Sequence, residues 1–306
     1  MRRCTMLLLT TMITILAVAQ GPPVNAADEL PLQTTYRFSY TPIYQFETDL
    51  DSGGAFDVQR HFLRFDATRP VNRQWMVGIG LSFDYEHWNF SGVDGLDGGV
   101  DLWDDIFRPG FSVPIFYSPN NRWRFGFIPA VDMAGATGAQ AGESLSYGAV
   151  LSAAYSVTPD LMLGLGGGVF ERLDEFEAFP YIVIDWKITD RFRLSNPFQA
   201  GPVGPAGLEL TYTPDPVWEM GLGGAYRSYR FRLDDSSAVP DGIGQVDFWA
   251  LFLRAGYRLG AHASLDVQGG ALFDGSITIE NENAHELGKT DTDPAPFVGM
   301  TIRGRF

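Results

Sequence analysis

Residues 75–86 read Trp-Met-Val-Gly-Ile-Gly-Leu-Ser-Phe-Asp-Tyr-Glu. Trp75, Val77, Ile79, Leu81, Phe83 and Tyr85 share one face of an extended chain, because successive side chains of a strand point to opposite sides. Gln74, Gly78, Gly80, Ser82, Asp84 and Glu86 share the other. Strands of soluble sheets are usually about 5–6 residues long. This run is twice that, the length a tilted strand needs to cross a bilayer. The same period recurs along the chain. Tyr36, Phe38, Tyr40, Tyr44 and Phe46 oppose Thr35, Arg37, Ser39, Thr41 and Gln45. Tyr147, Leu151, Tyr155 and Val157 alternate with Gly148, Ser152, Ala154 and Ser156, and Trp249, Leu251, Leu253 and Tyr257 with Ala250, Arg254, Gly256 and Arg258. One face is apolar and the other small or charged, as in a wall between lipid and a water-filled lumen.

The connections alternate too. Tight turns fall at 68–72, 118–121, 158–160, 189–191, 213–216 and 260–261. Between them come mostly longer segments rich in Gly, Pro and acid at 48–55, 91–102, 135–143, 196–206, 234–243 and 281–294, with a short one at 173–175. This pattern predicts an all-β fold: a transmembrane, antiparallel, up-and-down β-barrel of about fourteen strands with both termini periplasmic. The hairpin at 191–212 is the weakest signal, so twelve strands also fit. Trp75, Trp123 and Trp218 follow tight turns, and Tyr117, Tyr155, Trp186, Tyr212 and Tyr257 precede them, which predicts an aromatic girdle at one interface. Trp88, Trp103, Tyr226 and Trp249 are the expected counterpart at the other.

The 306 residues carry 37 acidic and 22 basic side chains, a net charge of −15. Such a chain repels phosphate backbones, which excludes a nucleic-acid partner. An aromatic content of 14 % argues against disorder. Arg2 and Arg3, an apolar core from Met6 to Ala19, and Val24-Asn25-Ala26 form the pattern of a secretory signal cleaved after Ala26. Residues 1–26 are therefore expected to be removed and 27–306 to form the barrel. The single cysteine, Cys4, lies in the removed segment, so the exported chain holds no disulfide.

Phe306 is preceded at two-residue steps by Gly304, Ile302, Met300 and Val298. This resembles the terminal targeting strand that bacterial outer-membrane proteins present to the barrel-insertion machinery, with Gly304 in place of a bulkier residue. The signal, the Gly-rich strand 160–170, the stretch up to Tyr212, the Thr-Pro-Asp turns and the terminal Arg-Gly-Arg-Phe together resemble a family of uncharacterised bacterial outer-membrane β-barrel proteins. The resemblance implies a barrel in the cell outer membrane, with lipid and insertion machinery as partners. It implies no established activity.

Catalytic signatures are missing: the sequence has no Gly-x-Ser-x-Gly, His-Glu-x-x-His or Cys-x-x-Cys. Gly288-Lys289-Thr290 lacks the first glycine of a phosphate loop, and Gly164–Gly168 reads as a smooth or bendable stretch of wall. Among the histidines, His87 beside Asp84 and Glu86 is the best-placed candidate for a rim hydrolase, and the apolar register shifts after it to Trp88 and Phe90, as at a bulge or the membrane exit. His285 with Glu282 and Glu286 is a weaker candidate for a cation. No cofactor or metal is expected, and no enzymatic activity. Strand parity turns Arg37, Asp84, Arg108, Arg122, Arg124, Asp185, Arg254, Arg258 and Arg303 into the lumen, together with Asp132, Lys187, Asp266 and Arg305. These residues would either line a porin-like channel for small solutes or pair across the lumen and fill it, giving a closed structural or adhesion-type barrel with acidic loops.

Overall fold

The computed structural model describes residues 33–93, 103–196 and 207–306. The expected signal at 1–26, Asp94, Asp97 and Asp101 of the acid-rich segment 91–102, and nearly all of the connection 196–206 lie outside the described residues.

Fourteen strands form the wall. They are β1 (Thr35–Asp49), β2 (Ala55–Pro70), β3 (Trp75–Ser91), β4 (Asp105–Ser112, resumed at Ile115–Tyr117) and β5 (Trp123–Met133, resumed at Gly135–Ala136). Then come β6 (Leu145–Thr158), β7 (Leu161–Arg172), β8 (Glu175–Lys187), β9 (Phe192–Ser195) and β10 (Gly207–Tyr212). The last are β11 (Trp218–Arg232), β12 (Ile243–Arg258), β13 (Ala263–Glu280) and β14 (Glu286–Thr292, resumed at Ala295–Arg305). Each strand pairs antiparallel with its sequence neighbour, and β14 closes onto β1, with Arg37 opposite Arg305 and Tyr44 opposite Val298. Closure leaves no sheet edge, which is the condition for a β structure to span lipid. The hairpin of β9 and β10 is present, so the wall has fourteen strands and not twelve; its weak signal has a cause, since these strands are only 4 and 6 residues long.

The outer surface is apolar. Leu165, Ile182, Leu222, Leu251, Leu253 and Val267 are all more than half exposed. The expected girdle stands at the turn end as cross-strand pairs: Trp75 on Tyr117 at 4.4 Å, Trp123 on Tyr155 at 4.9 Å, Phe192 on Tyr212 at 4.8 Å and Trp218 on Tyr257 at 4.9 Å. At the loop end Tyr226 and Trp249 face outward as expected. Trp88 and Trp103 do not: they are 2 % and 5 % exposed and lie inside the barrel. No bulge intervenes, because the β2–β3 register runs unbroken from Pro70–Met76 to Ala55–Ser91. The apolar residues after His87 change face because the lumen itself becomes apolar there. Nor is 281–294 a loop: a turn at 281–285 returns the chain, and Gly288, Lys289 and Thr290 pair with Ile279, Thr278 and Ile277 of β13.

The glycines of β7 serve packing. Phe179 and Tyr181 of β8 lie flat across them. A methyl group at Gly166 would sit 2.2 Å from the Tyr181 ring, and one at Gly168 would sit 2.3 Å from the Phe179 ring.

Leu253 lies midway between Trp249 and Tyr257 on the outer face. Leu253→Arg is expected to cost about 2–4 kcal/mol in reversible unfolding from lipid vesicles, and Leu259→Arg, beyond the girdle, about 0–1 kcal/mol.

Candidate functional site

The lumen is divided. In its loop-end half, apolar residues of opposite walls meet. Phe56 stacks on Trp88 at 5.2 Å, Trp88 meets Trp103 at 5.6 Å, and Trp103 meets Phe231 of β11 at 4.8 Å. Val58, Ile106, Ile277 and Phe252 are buried around them. Backbone also crosses the lumen: the Arg232 N–H of β11 donates to the Ala134 carbonyl at 2.9 Å, and Arg232 bridges Gly135, although β5 and β11 are not wall neighbours. Two buried arginines brace this packing. Arg230 donates to both carboxylate oxygens of Glu280 at 2.9 and 2.6 Å and to Gln245 at 2.9 Å. Arg232 donates to Asp174 at 2.7 Å and to the carbonyls of Asp241 and Glu143 at 2.8 and 3.1 Å. Glu280 is thus an internal counter-ion.

Below this core, charged side chains from β2, β3 and β4 form a layer. Arg64 chelates Asp84, and Arg108 lies 3.4 Å from Glu86 and 4.0 Å from Asp84, with its guanidinium over the Tyr229 ring at 5.0 Å. Arg60, 1 % exposed, donates to Gln45 at 2.7 Å and lies over Trp88.

The turn-end half is hollow. One cavity of about 850 Å³ is lined by Arg37, Arg64, Asp66, Asp132, Arg258 and Arg303 among others. A second, of about 570 Å³, is lined by Arg124, Asp185, Lys187, Glu219, Arg254 and Arg258 among others. Arg254 is the hub on its wall: it donates to Glu209 at 2.5 and 2.9 Å, to Glu219 at 2.7 Å and to Asp266 at 2.7 Å. Asp266, 1 % exposed, also accepts from Arg303 at 2.6 and 3.0 Å. Asp185 accepts two bonds from Arg193 at 2.7 and 2.6 Å.

The structure therefore brings Arg37, Arg124, Asp185, Arg254, Arg258 and Arg303 to the hollow half, with Asp132, Lys187 and Arg305, and sets Asp84 and Arg108 in the layer above it. Arg122 stands apart. It sits in the turn before β5 and donates to the Tyr155 hydroxyl of the outer girdle at 3.0 Å, because the turn breaks the parity that the strand would have imposed. Glu209, Glu219, Arg60 and Arg230 were not read from the sequence. The alternation of Leu208, Leu210 and Tyr212 carried a signal for Glu209. For Arg60 it was hidden, since Phe56, Val58 and Phe62 are apolar and also point inward.

His87 points outward. Its Nδ1 lies 2.8 Å from Asp105, which also accepts the Tyr85 hydroxyl at 2.7 Å. No serine or threonine hydroxyl is hydrogen-bonded to it among the described residues. His285 lies in the 281–285 turn, its backbone N–H donating to Asn281 at 3.0 Å. No cluster of metal-ligating side chains occurs among the described residues. Beyond the strands, the backbone N–H and hydroxyl of Ser236 hold the Asp234 carboxyl below its ordinary range, and Lys187 does the same for Asp190.

No family model matches the chain, and no curated protein matches it. Solved structures do. An outer-membrane channel from Pseudomonas putida F1 shares 12 % identity with a TM-score of 0.49, covering 93 % of this chain and 100 % of that one. The Pseudomonas putida toluene transporter TodX shares 9 % with a TM-score of 0.44, over 90 % of both chains. The KdgM porin, in complex with disordered oligogalacturonate, shares 11 % with a TM-score of 0.32, over 86 % of this chain and 97 % of that one. These three are described as a channel, a transporter and a porin, and each lies below a TM-score of 0.5 to this chain. A closed barrel with an apolar outer band and aromatic girdles is an outer-membrane β-barrel, as the sequence resemblance implied.

Breaking a buried pair leaves an uncompensated charge, at about 3–5 kcal/mol. Arg254→Met is expected to destabilise the barrel by that order in urea titrations of the lipid-inserted protein, and adding Glu209→Gln to restore part of the loss.

Proposed function

We propose that this chain is an outer-membrane channel for passive passage of small solutes, with its turn end and both termini in the periplasm and residues 27–306 as the mature barrel. It acts without catalysis and without a cofactor. The observation that carries the reading is the hollow turn-end half of the lumen, lined by charged and small residues, where a purely structural barrel would be filled throughout. Solutes moving through the barrel meet two environments in series. A polar vestibule offers fixed charges, and the apolar section around Trp88, Trp103 and Phe231 controls access, because such constrictions gate water and ions by dewetting. The inward residues from Arg37 to Arg303 would set selectivity in the vestibule. Val298, Met300 and Ile302 on β14, with Phe306 just past its end, would be the face offered to the insertion machinery and then to lipid.

The packed loop end favours a second reading, a barrel that is permanently closed and serves as a scaffold for its acidic loops. Conductance across planar bilayers separates the two. The refolded barrel is expected to give small, discrete steps, and Trp103→Ala/Phe231→Ala to enlarge them several-fold with the heat-dependent gel shift of an intact barrel retained. If both proteins shift on the gel yet stay silent in the bilayer, the closed reading replaces the channel.

A further inference from the structure

One row of the barrel has an unusual composition. Across directly opposed register positions, Arg258 of β12 faces Ser264 of β13, Ser264 faces Arg303 of β14, Arg303 faces Ser39 of β1, Ser39 faces Arg64 of β2, and Arg64 faces Ser82 of β3. Arginine and serine thus alternate over six consecutive strands. All six residues line the same cavity of about 850 Å³.

We propose that this arc is a binding site for small solutes carrying two or more carboxylate or phosphate groups, which makes polyvalent anions the substrate class of the channel proposed above. Three features of the arc support this assignment. Strands lie about 4.8 Å apart, so the arginines are spaced by about 10 Å around a concave wall and their long side chains converge on one volume. The serines between them leave room for a ligand and add hydroxyl donors. Second, the arginines are held in place from neighbouring positions: Arg303 by Asp266, Arg64 by Asp84, and Arg258 by the Pro216 carbonyl at 3.1 Å. Arg64 and Arg303 nevertheless keep about a third of their side-chain surface open, 32 % each. A guanidinium already fixed in place loses little entropy on meeting an anion, and its planar fork fits carboxylate and phosphate oxygens in pairs. Third, charge is segregated. The chain as a whole carries −15, yet this cavity is lined by Arg37, Arg64, Arg258, Arg303 and Arg305 against Asp66 and Asp132, and the arginines stay in excess when Asp84 and Asp266, which hold Arg64 and Arg303, are counted. A concave, low-dielectric wall with an excess of one sign concentrates ions of the other.

The inference rests on the channel reading for its role in transport, but the site can be tested without it. Citrate is the probe, with glucose as the uncharged comparison. Isothermal titration of the refolded full barrel is expected to show saturable citrate binding and none of glucose. Each substitution removes a charged hydrogen bond to the ligand, so Arg258→Gln should weaken citrate binding about tenfold or more, and so should Arg64→Gln/Asp84→Asn, which removes an arginine without stranding its partner. Arg73→Gln, in the exposed turn before β3, should leave binding unchanged. In bilayers, a potassium chloride gradient should give an anion-selective reversal potential that shifts toward cations in Arg258→Gln. Conductance without citrate binding or anion preference would overturn the site and leave the channel. Citrate binding without conductance would keep the site and overturn the channel. Equal loss of binding in Arg73→Gln would show a bulk charge effect and overturn the arc as a site.

Discussion

In a hydrocarbon layer no backbone N–H or C=O can turn to water, and each one left unpaired costs several kcal/mol. The rest of this structure depends on that constraint. It requires a continuous ladder from β1 round to β14, which in turn forces every strand to keep strict inside–outside parity over its membrane-crossing length. Once the outward set is given to lipid, the charges within the membrane-crossing length of the strands are directed inward. Arg64, Asp84, Arg108, Arg254, Asp266 and Arg303 are interior residues for that reason, before any question of what they do there.

An interior so provided with charge has to neutralise it locally, since desolvating an unpaired ion is far more costly than pairing it. The chain does this almost wholly with arginine: Lys187 and Lys289 are its only lysines. Arg254 shows the advantage, because one planar guanidinium reaches carboxylates from three strands, Glu209, Glu219 and Asp266, where an ammonium would act as a point charge. The acid left over is carried elsewhere. Thus a net charge of −15 coexists with an arginine-rich vestibule, and composition alone misrepresents the surface a solute would meet.

Parity explains how much could be read in advance. Where the inward face is polar, as in 75–86 and 249–258, alternation marks strand, membrane face and candidate lumen residues together. Where the inward face is apolar, the two faces look alike, and the signal inverts or vanishes. Trp88 and Trp103 were read as interface residues on this account, and Arg60 was overlooked between Phe56 and Phe62. The 281–294 segment looked like a loop because Asn, Asp, Glu, Gly and Pro make up eight of its fourteen residues, yet its second half pairs with an extension of β13. Contacts across the lumen, such as Trp103 with Phe231 or Arg232 with Ala134, join residues more than a hundred or nearly a hundred positions apart. No local period encodes them. The arginine–serine row is a similar case: each member lies in a readable strand, but the row exists only once six registers are fixed.

The division of the lumen also sorts the seven tryptophans. Trp75, Trp123, Trp186, Trp218 and Trp249 stand in the outer surface, 40 % exposed or more, while Trp88 and Trp103 are enclosed. A quencher carried on lipid chains reaches the first five and misses the other two. The intrinsic fluorescence of the chain therefore contains two separable clocks. The outer indoles report when the wall enters the bilayer, and the inner pair report when opposite walls meet and the interior at the loop end sets.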